Sequence, residues 1–168
     1  MLKIFNDLET FFKDNYERIH VREYARVIGI SPPSASKRLN RYYEEGMLIK
    51  EQEHNYIYYM ANRNNHLFIR LSQIYWSLQL KDFLDYLEKK LVNPLVVLFG
   101  SFSKAEITSK SDIDIAVFSL SKKELKIETF ENKLKRKIQL FQFTKPSEVQ
   151  NKDLLKNIYN GFRLLGSW

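Results

Sequence analysis

Two aspartates, Asp112 and Asp114, stand one residue apart, and ten residues separate them from an upstream Gly100-Ser101 pair. If the run Asp112 to Val117 is extended, side-chain alternation puts both carboxylates on one face and gives Ile113 and Ile115 the opposite, buried one. Carboxylates held that close repel unless a cation lies between them. They are natural ligands for Mg²⁺, a hard ion usually bound by one or two carboxylates plus substrate phosphates. Gly100 has no side chain to keep an anion away from backbone N–H groups, so the turn suits those phosphates. Each feature alone is an ordinary turn or strand start. Together they describe a site for phosphoryl or nucleotidyl transfer.

The flanking segments have the right form to position such a pair. Leu95-Val96-Val97-Leu98-Phe99 is an apolar run bounded by Pro94 and Gly100, which predicts a short buried strand leading into the turn. Beyond the aspartates, Lys122 to Lys137 reads as a basic helix containing Phe130 and Leu134, followed by a strand over Ile138 to Phe143. Pro146 to Asn160 reads as a closing helix with Leu154, Leu155 and Ile158 on its buried face, and Gly161 to Leu165 follows it. Upstream, Leu67, Phe68, Leu71, Ile74, Tyr75 and Leu78 recur at helical spacing, and Phe83, Leu84, Leu87 and Leu91 extend the pattern. One helix bent near Leu80-Lys81 or two in succession would both fit. The aromatic stripe reads as core packing, with a homodimer seam as the sharper alternative.

Gly100-Ser101, ten residues, then Asp112-x-Asp114 resembles the signature of the DNA polymerase β-like nucleotidyltransferase superfamily, and within it the minimal nucleotidyltransferases, whose small domain would cover roughly residues 78 to 168. Phe102-Ser103-Lys104-Ala105-Glu106 looks like the segment opening the helix after the turn, with Ala105 where a glycine is common. The resemblance implies Mg²⁺ on Asp112 and Asp114, a triphosphate such as ATP held by Gly100 and Ser101, and help from Lys104. It also implies a third carboxylate on a later strand, which completes the metal site and serves or aligns the base. That position falls at Gln139, whose amide can lend an oxygen to a metal but cannot take up a proton in water's range. Either another acid such as Glu128 or Glu131 substitutes, or the domain binds nucleotide or a partner with little transfer. Such domains often act as antitoxins beside a HEPN-type ribonuclease toxin, and the resemblance implies that partner as well.

The first 64 residues have a different character. Ile4, Phe5, Leu8, Phe11 and Phe12 predict an amphipathic helix within Leu2 to Tyr16, and Val21 to Ile28 a second. Gly29 breaks it. Ser31 is a good N-cap with Pro32 at the first helical position, so a third helix should run to about Glu45, turning Ala35, Leu39 and Tyr42 inward and Ser34, Lys37, Arg38, Asn40 and Arg41 largely outward. Gly46 ends it. Leu48 to Gln52 and Tyr56 to Met60, joined by Glu53-His54-Asn55, read as a β-hairpin. This order resembles the winged helix-turn-helix family, whose third helix enters the DNA major groove. By that resemblance Ser34, Ser36, Lys37, Asn40 and Arg41 would meet bases and phosphates of double-stranded DNA. The plainer alternative is a solvated polar face. Glu51 and Glu53 near the hairpin tip speak against DNA, and the Lys37-Arg38-Arg41 cluster for it.

Composition bounds these readings. The chain has 168 residues and a formal net charge of +7. Of its 27 Lys and Arg and 20 Asp and Glu, 10 and 9 lie within residues 1–64, so the remaining 17 and 11 place the basic surplus beyond them. The absence of cysteine removes disulfides, thiolate catalysis and thiolate zinc sites. No signal peptide opens the chain and no apolar run spans a bilayer, so a cytoplasmic protein without membrane contact is expected. His20, His54 and His66 lack ligand spacing. Tyr56, Tyr58 and Tyr59 are expected to pack the wing, and Lys133-Lys135-Arg136-Lys137 reads first as a solvated helix face. The expected fold is α/β of the α+β kind, with a winged helix-turn-helix at 1–64, a linking helical segment at 65–92 and a minimal nucleotidyltransferase domain with a small mixed sheet at 93–168. The expected function is Mg²⁺-dependent transfer of AMP from ATP to a protein or nucleic-acid acceptor. A DNA-binding transcriptional regulator whose degenerate nucleotidyltransferase domain only binds nucleotide or a partner is the alternative.

Overall fold

A computed structural model describes residues 2–167. Among them eight α-helices and seven β-strands form a mixed α and β architecture with two small sheets. The chain divides into two compact units, Met1–Ser72 with Ala105–Ser109, and Gln73–Lys104 with Lys110–Trp168. No helix among the described residues is long and apolar enough to cross a membrane.

In the first unit, α1 (Lys3–Lys13) buries Phe5, Leu8, Phe11 and Phe12, the stripe its periodicity predicts. Next come β1 (Ile19–His20), α2 (Val21–Ile28) and α3 (Pro32–Glu44). Gly29 takes the left-handed conformation that closes α2, and the Ser31 hydroxyl caps α3 by accepting from the Ser34 N–H. β2 (Leu48–Glu53) and β3 (Tyr56–Ala61) form the hairpin, and β1 pairs with the far side of β3. The strand β1 has no counterpart in the sequence reading: two residues carry no periodicity, and only pairing with Tyr59 and Tyr58 defines it.

A buried acid organises the helices of this unit. Asp7, 3% exposed, accepts from the Arg38 guanidinium at 2.6 Å and from the Tyr42 hydroxyl at 2.9 Å, while its backbone carbonyl accepts from the Tyr24 hydroxyl. Arg38 therefore turns into the α1–α3 interface, against the expectation that it lies on the outward cationic face. Burial and the bond to Asp7 both push the Tyr42 phenol well above its ordinary range.

The segment Ala105–Ser109 also belongs to this unit. Asn15, itself buried, exchanges two bonds with Ile107: its N–H donates to the Ile107 carbonyl at 2.8 Å, and its side-chain oxygen accepts from the Ile107 N–H at 2.7 Å. The Ser109 N–H donates to the Asp14 carboxylate at 2.7 Å.

The division between the units falls within α4 (His66–Gln79), which α5 (Lys81–Lys90) follows; of the two arrangements the sequence left open, two successive helices meeting at Leu80 is the one formed. The second unit is built on a four-stranded mixed sheet in the order β6-β5-β4-β7. β4 (Leu95–Phe99) and β5 (Ile113–Phe118) are antiparallel, β6 (Ile138–Phe143) lies parallel to β5, and β7 (Phe162–Leu165) is antiparallel to β4. One face carries Leu95, Val97, Phe99, Ala116 and Phe118, flanked by Phe141 and Phe143 and packed with Val149, Leu154, Leu155 and Ile158. Leu154, Leu155 and Ile158 come from α8 (Lys152–Tyr159), as the sequence suggests.

Three helical expectations shorten. α6 (Ser101–Lys104) ends before Glu106, because Ala105 turns left-handed at φ 54°. α7 is Glu128–Leu134, not the whole of Lys122 to Lys137. Upstream of it the Tyr86 hydroxyl accepts from the Lys126 N–H, and the Gln142 amide donates to the Lys123 carbonyl, so side chains satisfy backbone groups a helix would have used. The closing helix begins only at Lys152, where Asn151 caps two N–H groups. A short 3₁₀ turn, Pro146–Glu148, precedes it.

Candidate functional site

The β4–β5 register pairs Phe99 with Asp114, so the residue after Phe99, Gly100, comes to lie beside the second aspartate. Gly100 has φ 67°, and a Cβ built on it would stand 2.1 Å from the Asp114 carboxylate oxygen. Any side chain here would meet both left-handed strain and a collision with the acid. The turn and the carboxylate thus share one small volume, although thirteen residues of chain lie between Gly100 and Asp114.

The rest of the turn is tied down from behind. Ser101 opens the four-residue α6, the Ser103 hydroxyl donates to the Gly100 carbonyl at 2.9 Å, and the buried Gln73 amide donates to the Ser103 carbonyl at 2.6 Å. Lys104 is exposed at the end of that helix. Ala105 keeps the positive φ for which glycine would have been the unstrained choice.

Asp112 is exposed just ahead of β5, and Asp114 is partly buried within it; Ile113 and Ile115 are fully buried. Burial, and then the neighbouring Asp112, push the Asp114 carboxyl above its ordinary range. A carboxylate destabilised in this way is one that a cation would relieve. On the other flank, the parallel β5–β6 register pairs Asp114 with Gln139. Lateral partners in a sheet project to the same side, so the exposed Gln139 amide stands next to Asp114 on the face that carries it.

Neither alternative acid takes that place. The Glu131 carboxylate accepts from the Ile138 N–H at 2.9 Å and from Lys137 at 3.2 Å; the Ile138 bond above all holds it below the ordinary carboxylate range. Glu128 is exposed in the first turn of α7. Among the described residues no group of three or more His, Cys, Asp or Glu is arranged to hold a metal. The donor set is two carboxylates with an amide beside them. That set suits a hard divalent ion whose remaining ligands are phosphate oxygens and water.

A family model for the polymerase β nucleotidyltransferase domain matches residues 81–167, just over half of the chain. The chain belongs to that nucleotidyltransferase family. No curated protein and no solved structure matches it. The match covers Gly100, Ser101, Lys104, Asp112, Asp114 and Gln139, while Gln73, which holds the turn from behind, lies ahead of it.

The five residues singled out for DNA lie outside that match, on α3. Ser34, Lys37 and Arg41 are exposed, and Ser36 and Asn40 are half-buried. Ser34, Lys37, Asn40 and Arg41 line a groove of about 900 Å³ together with Lys3, Asp7 and Tyr42. Several of them already have partners within the unit. Asn40 accepts from the Tyr59 hydroxyl at 2.9 Å, and Arg41 pairs with Glu45 at 2.8 Å.

Sequence reasoning missed one residue near the nucleotidyltransferase motif. Arg136, taken there as part of a solvated basic face, donates to the Ser111 carbonyl at 2.9 Å and lies 5.4 Å from the Phe102 ring and 5.6 Å from that of Trp76. The only available signal was its type, a single planar guanidinium among the lysines of Lys133 to Lys137.

Proposed function

We propose that this protein binds a nucleoside triphosphate with Mg²⁺ and acts as a weak nucleotidyltransferase, moving AMP from ATP to a protein or nucleic-acid acceptor. The observation that carries the reading is the interlock of Gly100 with Asp114, which sets a phosphate-accepting turn against a carboxylate that needs a cation. Asp112 and Asp114 would hold the ion, which when bound supplies charge neutralisation on the phosphates and lowers the barrier to attack at phosphorus. Gly100 and Ser101 would bind phosphate oxygens through backbone N–H groups, and Lys104 would add a positive charge to them.

Gln139 limits this chemistry. An amide beside Asp114 can orient an acceptor hydroxyl by hydrogen bonding but cannot remove its proton, so transfer should be slow. The same observation favours a second reading, in which the domain only holds a nucleotide and the first unit does the work by binding DNA. The order α1, β1, α2, α3 and a β2–β3 hairpin supports a winged helix-turn-helix with Ser34, Ser36, Lys37, Asn40 and Arg41 on its recognition helix. A HEPN-type toxin as acceptor and partner, with this chain as its antitoxin, rests on the family resemblance alone.

Purified protein with labelled ATP, Mg²⁺ and candidate acceptors separates the readings. Expected are ATP binding that Asp112→Asn and Asp114→Asn weaken, and slow label transfer by the wild type. ATP binding without any transfer leaves the second reading, which further requires duplex DNA binding that Lys37→Ala with Arg41→Ala abolishes. Failure to bind ATP removes both.

A further inference from the structure

Asp112 stands outside the strand ladder, yet the chain is held on both sides of it by one dipeptide. Before it, the Ser111 carbonyl accepts from the Arg136 guanidinium at 2.9 Å. After it, the Ile113 N–H donates to the Lys137 carbonyl at 2.9 Å. The backbone bond cannot be removed by changing a side chain, but the Arg136 bond can.

Arg136 is itself well anchored. The left-handed Lys135 closes α7, and the Arg136 N–H donates to the Glu131 carbonyl at 3.2 Å; β6 begins two residues on. From there the guanidinium reaches the rings of Phe102 and Trp76, which pack edge to face with centroids 4.7 Å apart. Both rings are buried, and Phe102 directly follows Gly100-Ser101. One side chain therefore touches both halves of the motif: the helix that opens at the Gly-Ser turn and the carbonyl preceding the first aspartate. A guanidinium suits the task, since its delocalised charge is held near aromatic rings while an edge N–H donates to a carbonyl.

We propose that Arg136 is a positioning residue that sets Asp112 against the Gly100-Ser101 turn and so fixes the metal–nucleotide geometry. It acts through Ser111 and Phe102. The inference rests on the reading of the site as one for a metal nucleotide, and its test includes a measurement that needs no ligand.

The experiment uses the full chain as wild type, Arg136→Ala and Arg136→Lys. Binding of a non-hydrolysable ATP analogue is titrated calorimetrically with Mn²⁺ and, separately, in EDTA. Loss of a charge-assisted bond at a ligating loop should weaken Mn²⁺-dependent binding by about tenfold or more in both variants, with metal-free binding within about twofold of wild type. Lysine should not rescue, because it cannot stack and fork at once. In parallel, amide hydrogen exchange should quicken at Ile113, whose N–H bonds to Lys137, by about tenfold in Arg136→Ala, while Val97 and Ala116 in the sheet centre keep their protection.

A fall in metal-free binding in Arg136→Ala that matches its fall with Mn²⁺, both restored by Arg136→Lys, would make Arg136 a direct phosphate contact and overturn the proposal. Unchanged exchange at Ile113 would overturn it as well. So would faster exchange throughout the sheet, which marks a general stabilising role. If the wild type binds no nucleotide, the functional reading fails, and the exchange measurement alone decides whether Arg136 holds the loop.

Discussion

Replacing Gln139 by glutamate adds one negative charge beside Asp114, and the register gives the size of the effect. Neighbouring strands run about 4.8 Å apart, so two carboxylates there would lie about 5 Å from each other. At an effective dielectric constant of about 20 they repel by about 3 kcal/mol, and screening at the exposed Gln139 reduces this to about 1 kcal/mol. A divalent cation carries twice the charge, so a bound ion would recover about 2 kcal/mol, a gain of about thirtyfold in affinity. Gln139→Glu should therefore destabilise the ligand-free protein at pH 7 by about 1 kcal/mol and tighten Mn²⁺ binding with an ATP analogue by at least about tenfold. Urea unfolding and isothermal titration read the two effects, with Gln139→Ala as the size control. If transfer is limited by the missing base, label transfer from ATP should also rise. Mn²⁺ affinity within twofold of wild type, together with unchanged stability, would refute the placement of Gln139 beside the carboxylate pair.

Three other perturbations have defined outcomes. Asp114→Asn should stabilise the ligand-free protein by about 1 kcal/mol at pH 7 while weakening metal-dependent nucleotide binding. The raised carboxyl means that the folded state binds the proton more tightly than the unfolded one, so wild-type stability falls as pH rises through the interval above the unfolded pKa. The advantage of the asparagine should accordingly vanish below that interval in urea unfolding followed against pH. Gly100→Ala should remove nucleotide binding and lower stability by about 2 kcal/mol, since the added Cβ displaces the Asp114 carboxylate and must accept a positive φ; equilibrium dialysis with ATP and thermal unfolding check both. Asp7→Ala should cost about 3 kcal/mol in urea unfolding, because it leaves the partly buried Arg38 guanidinium and the Tyr42 hydroxyl without their acceptor, and a loss below 1 kcal/mol would contradict that account.

What could be read from the chain in advance follows the range of the forces involved. Local signals reported themselves: Gly29, Ser31 and Pro32 mark the end of α2 and start of α3, and an uninterrupted apolar run marks β4. The pairing of Gly100 with the aspartates was also legible, because motif spacing is a property of sequence. Long-range satisfaction of polar groups was not. Nothing near Asp7 announces that a residue 31 positions on will neutralise it, and Lys122 to Ile127 looks helical until the partners of its backbone, Tyr86 and Gln142, are known. Arg136 was misjudged for the same reason. Its charge was visible, but the two rings and the carbonyl it touches come from segments 25 to 60 residues away.

The membership of Ala105–Ser109 in the first unit bears on how this chain can be cut or recombined. The polypeptide passes between the units three times, after Ser72, after Lys104 and after Ser109. A fragment starting at residue 73 would keep both halves of the motif but lose Asn15 and Asp14, leaving Ile107, fully buried in the intact chain, uncovered and its N–H and carbonyl unpaired. The two units are thus not interchangeable beads on a string. A gene fusion that kept the nucleotidyltransferase domain and replaced the N-terminal one would have to supply a new seat for those five residues, which lie in the stretch of chain linking the glycine to the aspartates.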